Sequence, residues 1–309
     1  MTEFAERALR HLATLLAIII ASFFLFHVVP VDPARASLGA QATQDQVQRL
    51  RAELGLDRPL QQQLFGFASS ILRLDFGRSY VDQRPVGAEV LKRLPTTLAL
   101  TGLALTLAMG YAATVLWLLS AKAHSFVHWS NRLLALLPTL FVTVVTAIVA
   151  LHFYPFSAYS ADLSRLNDWM ALLPPAMALG LFGMLSLGRV VDERVRELEG
   201  SRFVTAAHAR GLSVRSIYFG HLLRHVIGPL LASMSTLVPY LLSAAFLVET
   251  VFSLPGLGTM LVNAILRRDL PSIEAVVMVN ALLIMAVFVL CDLFTVVADP
   301  RLRGASRAA

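Results

Sequence analysis

Six apolar runs separated by polar intervals set the pattern of the chain: residues 12–29, 96–119, 133–153, 170–187, 226–248 and 275–298, uncharged except for Asp292 in the last. A helix rises about 1.5 Å per residue, so some 20 apolar residues match the roughly 30 Å hydrocarbon core of a bilayer. The pattern predicts an all-α integral membrane protein with six transmembrane helices and both termini on one side. A cleaved signal peptide competes for the first run, but its apolar part usually covers about 7–15 residues and ends at a small-residue site. Here Pro30, Val31, Asp32 and Pro33 follow instead, and a retained span is expected. The second run follows Pro95, with Thr96 or Thr97 expected to cap it. Pro174, Pro175, Gly180 and Gly183 lie in or near the fourth, where neighbouring helices can satisfy freed backbone groups.

The polar interval 31–95 carries nine Lys or Arg and seven Asp or Glu, with helical periodicity over 43–54 and 60–72. That periodicity predicts a small folded helical element after the first span. A second polar interval, 197–229, separates the fourth run from the fifth. In it, Ser201 is placed to cap a short helix, and Gly211 falls where a helix C-terminus wants a left-handed residue. A further helix is expected to start at Ser213 and to end at Gly228 and Pro229. On spacing alone, this interval reads equally as an amphipathic segment on a membrane surface.

Composition agrees with the membrane reading: 57% of the chain is hydrophobic, 15% is charged, and mean hydropathy is +0.68. Soluble domains average about 25% charged residues. The net charge of +6 is compatible with nucleic acid, yet cytoplasmic arginines of a membrane protein give the same balance, and no nucleic-acid partner is expected. The single cysteine, Cys291, excludes an intrachain disulfide and a cysteine metal cluster. With the N-terminus inside, short cytoplasmic segments and tails hold fourteen of the 26 basic residues, against Arg165, Arg267 and Arg268 in the short outer loops. The positive-inside rule therefore places 197–229 and both termini in the cytoplasm, and 31–95 outside.

Several motifs then align in order: Ala42-Thr43 with Gln46-Val47, LRAELGLDRPL (50–60), DFGRSY (75–80), RPV (84–86), RLPTTLAL (93–100), VETVFSLPGLGTMLVNAILRRDLP (248–271) and ADPRLR (298–303). Together they resemble the inner-membrane permease subunits of ABC importers for oligopeptides, dipeptides and related solutes such as nickel or glutathione. The resemblance spans nearly the whole chain. It implies a type I ABC importer permease fold in the bacterial inner membrane, with a periplasmic helical element in 1–95, a permease core in 96–298 containing a coupling loop at 191–228, and a cytoplasmic tail at 299–309. It also implies a second, homologous permease subunit, two ABC ATPase subunits and a periplasmic substrate-binding protein.

Thr205, Ala206, Ala207 and Gly211 resemble the cytoplasmic motif whose helix docks in a groove of the ATPase, with Thr205 where the broad pattern has glutamate. Around them, Phe203 and Val204 add apolar surface, while Arg210 and Arg215 can pair with acidic groups on a partner. These eight residues form the expected ATPase-coupling loop. No phosphate-binding GxxxxGK[ST] loop exists, since neither Lys92 nor Lys122 follows a glycine. ATP and magnesium are accordingly expected on the partner ATPases, with no cofactor, metal or catalytic residue on this chain.

Other residues carry weaker signals. His221 and His225 share a helix face at metal-ligand spacing, but HLLRH lacks a glutamate base and a third ligand. Ser186 lacks the surroundings of a nucleophile. Asp292 falls near the cytoplasmic interface, where a structural ion pair is the expectation. Asn280 either lines a path or bonds between helices. Glu249 either faces a channel mouth or caps the turn containing Pro255, Gly256 and Gly258, and the following helical pattern to Leu270 reads as a gate or as an interfacial helix. A secondary transporter coupled to an ion gradient is the alternative; it calls for carboxylates or broken helices near the midplane. An intramembrane enzyme and an ABC exporter half fit less well, the latter lacking a fused nucleotide domain.

Overall fold

A computed structural model of the chain describes residues 2–28, 42–53, 57–73, 75–121, 123–136 and 172–298, together with positions 35, 38, 144, 145, 148 and 149. Ten helices are named here: α1 (Thr2–Val28), α2 (Gln44–Glu53), α3 (Leu60–Leu72), α4 (Val86–Ser120), α5 (His124–Leu136), α6 (Leu173–Glu199), α7 (Arg202–Ala209), α8 (Val214–Val251), α9 (Leu257–Arg267) and α10 (Leu270–Ala298). The described residues contain no strand, only one bridge between Arg78 and Pro85. Among the described residues, four helices are long and apolar enough to cross a membrane: α4, α6, α8 and α10 over its first 22 residues. Residues 12–28 of the first predicted run lie inside α1. Most of the third, 133–153, falls outside the described residues, as do the tail 299–309 and the side chain of Asp292. On α4, α8 and α10, apolar side chains such as Leu98, Leu247 and Leu290 remain exposed, as lipid-facing positions require.

Local chemistry explains most boundaries. Thr43 and Gln46 form a reciprocal capping box at the start of α2, the Thr43 amide donating to Gln46 Oε1 at 3.0 Å and the Gln46 amide to Thr43 Oγ1 at 3.4 Å. Pro174 and Pro175 occupy the first turn of α6, where a missing N–H costs nothing.

Three sequence expectations are corrected. Pro95 does not precede a helix start but lies within α4, so neither Thr96 nor Thr97 caps α4, and both are buried. Gly228 and Pro229 do not end a helix, because α8 continues through Pro229 and Pro239 to Val251. Membrane helices accommodate such prolines where nearby groups re-satisfy the backbone. Ser201 holds the N-cap position of α7, but its hydroxyl donates to the Leu198 carbonyl instead of accepting from α7.

The described residues form two compact units. One contains residues up to Thr97 together with Pro255–Met285; the other contains Leu98–Leu254 with the chain from Ala286 onward. In the second unit, α8 packs along α6, and α4 meets α6 through small residues. Ala104, Ala108 and Ala112, one turn apart, are buried. A Cβ added at Gly180 would lie 2.9 Å from the Ala104 carbonyl oxygen, and one at Gly183 would lie 3.0 Å from Ala108 Cβ. Backbones in membranes approach this closely only at small residues, where packing replaces the absent hydrophobic drive between helices. In the first unit, α1 packs on α3, and Ile19, Ile71 and Met278 form a core against Phe67, Phe76 and Leu282.

Candidate coupling segment and the Asp269 junction

The segment joining α6 to α8 is shaped by its ends. At its C-terminus, α7 closes with the paired bonds of a Schellman turn: the Gly211 amide donates to the His208 carbonyl at 2.9 Å and the Leu212 amide to Ala207 at 3.3 Å. Gly211 has φ +73° there, the left-handed conformation expected of it. Ser213 then caps α8, its hydroxyl accepting from the Ser216 amide at 3.3 Å.

This frame divides the predicted coupling residues. Val204 and Ala207 are buried against the unit's own core, whereas Phe203, Thr205, Ala206, Arg210, Gly211 and Arg215 are exposed. The ring of His225 lies 5.4 Å from that of Phe203, and His221 is exposed. From Ser201 to Gly228 the chain has four arginines and no acidic residue, so the exposed face is basic with apolar points at Phe203, Leu212 and Phe219.

Beneath it, three helices are tied by polar contacts. The Tyr218 hydroxyl on α8 donates to Glu199 at the end of α6, and His124 Nδ1 on α5 stands 3.5 Å from the same carboxylate oxygen. Two turns of α6 earlier, Asp192 is buried, with Arg196 at 3.0 Å on one oxygen and His128 Nδ1 at 2.7 Å from the other. That His128 contact is close in distance but lacks the alignment of a hydrogen bond. The 217–222 stretch of α8 is a π-helical turn, which places Ile217, Tyr218 and Leu222 in the core. Such turns introduce one extra residue into an α-helix.

The other candidate region surrounds α9. Leu254 donates its amide to the Glu249 carbonyl at 2.9 Å, and Glu249 is completely buried in its own unit. In the first unit, Pro255 is exposed while Gly256, at the N-cap of α9, and Gly258 are buried. The α9 cap comes from far along the chain: Thr97 Oγ1 accepts from the Leu257 amide at 3.0 Å. At its far end, Arg268 adopts φ 55°, and the Arg268 and Asp269 amides return to Ile265 and Ala264.

Asp269, 6% exposed, then gathers three donors: Ser79 Oγ and Ser272 Oγ, each 2.6 Å from Oδ2, and the Tyr80 amide 2.9 Å from Oδ1. Ser79 belongs to the loop of residues 75–85, held by Gly77 at φ +68°, the Ser79 amide to the Arg84 carbonyl at 3.0 Å, and the Arg78 to Pro85 bridge. Beside this junction is a cavity of about 660 Å³ with walls that include Phe67, Phe76, Tyr80, Glu274 and Met278. Burial, helped by the Glu274 and Asp269 carboxylates, pushes the Tyr80 phenol from its ordinary 10.0 up to about 12. Further along α10, Asn280 keeps its Oδ1 buried without a hydrogen-bond partner among the described residues, so that oxygen makes no interhelical bond there.

Sequence reasoning did not single out Asp269, Ser79 or Glu274. The first two lie inside motifs quoted for their resemblance, DFGRSY and RRDLP, but their pairing across 190 positions has no local signature. Glu274 lies one residue before the last apolar run.

The profile described as "Binding-protein-dependent transport system inner membrane component" matches residues 125–304, and its N-terminal companion, "Binding-prot-dependent transport system membrane comp, N-term", matches residues 1–101. The chain belongs to this family, the inner-membrane permeases of ABC importers, and is a multi-pass inner-membrane protein. A Brucella abortus (strain 2308) relative described as a candidate peptide transport system permease protein is 31% identical over 308 residues, covering 96% of this chain and 98% of that protein. The dipeptide transport system permease protein of Lactococcus lactis subsp. cremoris is 30% identical, covering 94% and 96%. The glutathione transport system permease protein of Salmonella typhimurium is also 30% identical, covering 96% and 97%.

Proposed function

We propose that this chain is one permease subunit of an ATP-driven importer for peptides, forming half of a solute path that two partner ATPases open and close. Full-length likeness to relatives named for peptide, dipeptide and glutathione transport supports the solute class. A periplasmic binding protein delivers the solute, and a second, homologous permease completes the path. The chain crosses the membrane six times with both termini in the cytoplasm, ATP and magnesium bind on the ATPases, and no residue here is catalytic. Asn280 on α10 lines the path, and the α9 region, with Glu249, Pro255, Gly256 and Gly258 near its start in sequence, closes it on the outer side.

The observation that carries the reading is the division of α7. Val204 and Ala207 fix the helix to the permease core, while Phe203, Thr205, Ala206 and Arg210 are presented outward. A small, basic, apolar-tipped helix face fits a groove with an acidic rim. Movement of an ATPase at that face would pass through Val204 and Ala207 into α6 and α8. The test replaces Phe203 by alanine and Arg210 by glutamate in the complex purified through a tag on this chain. ATPase co-purification and dipeptide uptake are both expected to fall; normal assembly together with normal uptake overturns the assignment. Uptake by this chain alone, driven by a proton gradient, would favour the secondary-transporter reading instead.

A further inference from the structure

We infer that Asp269 is a positioning residue for solute passage: its carboxylate latches the outer loop 75–85 to the junction of α9 and α10, holding the closing helix α9 shut. This rests on the proposed role of α9 as the outer closure.

The latch has an unusual economy of parts. One buried carboxylate accepts from two segments of the same unit, Ser79 and Tyr80 of the loop and Ser272 in the first turn of α10. The Ser79 hydroxyl is itself a hub, accepting from the Val81 amide at 3.2 Å and the Asp82 amide at 3.1 Å, so the turn of the loop is built around the atom that grips Asp269. Around the outside, Arg267 at the end of α9 stands 3.7 Å from Asp82 of the loop, an exposed pair that adds orientation but little strength. A pocket of about 240 Å³ lies between the two, with Met260, Asn263 and Arg267 on α9, Val81 and Pro85 on the loop, and Glu89 on α4. The loop and α9 are thus tied through Asp269 at the C-terminal end of α9 and share a partly apolar pocket. Loss of a donor at the joined end loosens the C-terminal end of α9, while its N-terminal end stays capped by Thr97. Any contact that displaces the loop acts on α9 through the same carboxylate.

Ser79→Ala removes one donor and leaves Asp269 with the other two, while also taking the acceptor from the Val81 and Asp82 amides. Met260 on α9 is buried, and a cysteine placed there by Met260→Cys, with Cys291→Ala, reports opening by its rate of reaction with a membrane-impermeant maleimide. In the assembled complex, Ser79→Ala is expected to raise that labelling rate about tenfold, the scale of one lost hydrogen bond to a charged group. It is also expected to lower dialanine uptake per complex, and Ser79→Thr, which keeps the hydroxyl, is expected to restore both. Unchanged labelling in Ser79→Ala overturns the latch. Faster labelling with unchanged uptake overturns its role in passage, and loss of folded complex that Ser79→Thr does not restore reduces Asp269 to a folding residue. Labelling needs no solute, so it decides the latch even if the unsubstituted complex takes up no dialanine, the outcome that would sink the peptide reading instead.

Discussion

The Thr97 side chain accepts a buried hydrogen bond at 3.0 Å from the amide of Leu257, 160 positions away, and so caps a helix that is not its own. A threonine inside α4 supplies the group that α9, with glycine at its N-cap, cannot supply itself. Thr97→Val keeps the shape but strands the Leu257 amide, and is expected to destabilise the first unit by about 1–3 kcal/mol. Thr97→Ser is expected to recover most of that loss. Thermal melting of the detergent-solubilised protein compares the two, and equal melting points for valine and serine would refute the cap.

The close approach of α4 and α6 makes a graded prediction. Gly180→Ala brings a methyl within 2.9 Å of a backbone oxygen that cannot rotate away, whereas Gly188→Ala meets the Tyr111 ring at 2.5 Å from Cε1. Overpacking of this kind costs about 1–3 kcal/mol. Adding Tyr111→Leu is expected to rescue Gly188→Ala and to leave Gly180→Ala unrepaired. A rescue of both by the same change would contradict the packing described.

Asp192 is the buried acceptor between α5 and α6, with Arg196 and His128 on its two oxygens. Asp192→Ala leaves two basic side chains facing an empty acceptor position, at an expected cost of about 1–3 kcal/mol. His128→Gln, which retains polarity and removes the close contact, is expected to cost less. Proteolytic susceptibility of the α5 segment measures the difference.

Tyr80 predicts the direction of a pH effect. Its folded value, about 12, lies above the ordinary 10.0, so the folded state holds the phenolic proton more tightly than the unfolded state. Below pH 10 this contribution to stability is fully present, and it is lost as pH rises through 10 towards 12. Tyrosinate absorbance of the intact protein is expected to contain one component titrating near pH 12 that Tyr80→Phe removes. If the substituted protein keeps that component, Tyr80 is not its source.

Elements whose cause is local were legible in the sequence. The α2 and α3 helices, the left-handed Gly211 and the Ser213 helix start each follow from residues near one another in the chain. Prolines misled, because Pro95 and Pro229 were read by rules for isolated helices in water, whereas both lie within long helices of an apolar chain. Within 197–229 the resemblance drew attention to particular residues, but periodicity on an eight-residue helix did not show that Val204 and Ala207 turn inward while Phe203 and Ala206 turn outward. The contacts of Asp269 were invisible, since hydrogen bonds across 189 and 190 positions depend on the folded path of the chain and leave no trace in spacing.

The π-helical turn at 217–222 sets the phase of α8. One surplus residue there turns everything on its N-terminal side by roughly 100° relative to a regular helix, because an α-helix advances 3.6 residues per turn. Tyr218 can therefore reach Glu199 while Leu237, Leu241 and Ala245 keep their own inward register. Removing a single residue such as Gly220 would produce a more regular helix and a wrongly clocked one, with the stretch 201–213 aimed at a different bearing from the rest of α8.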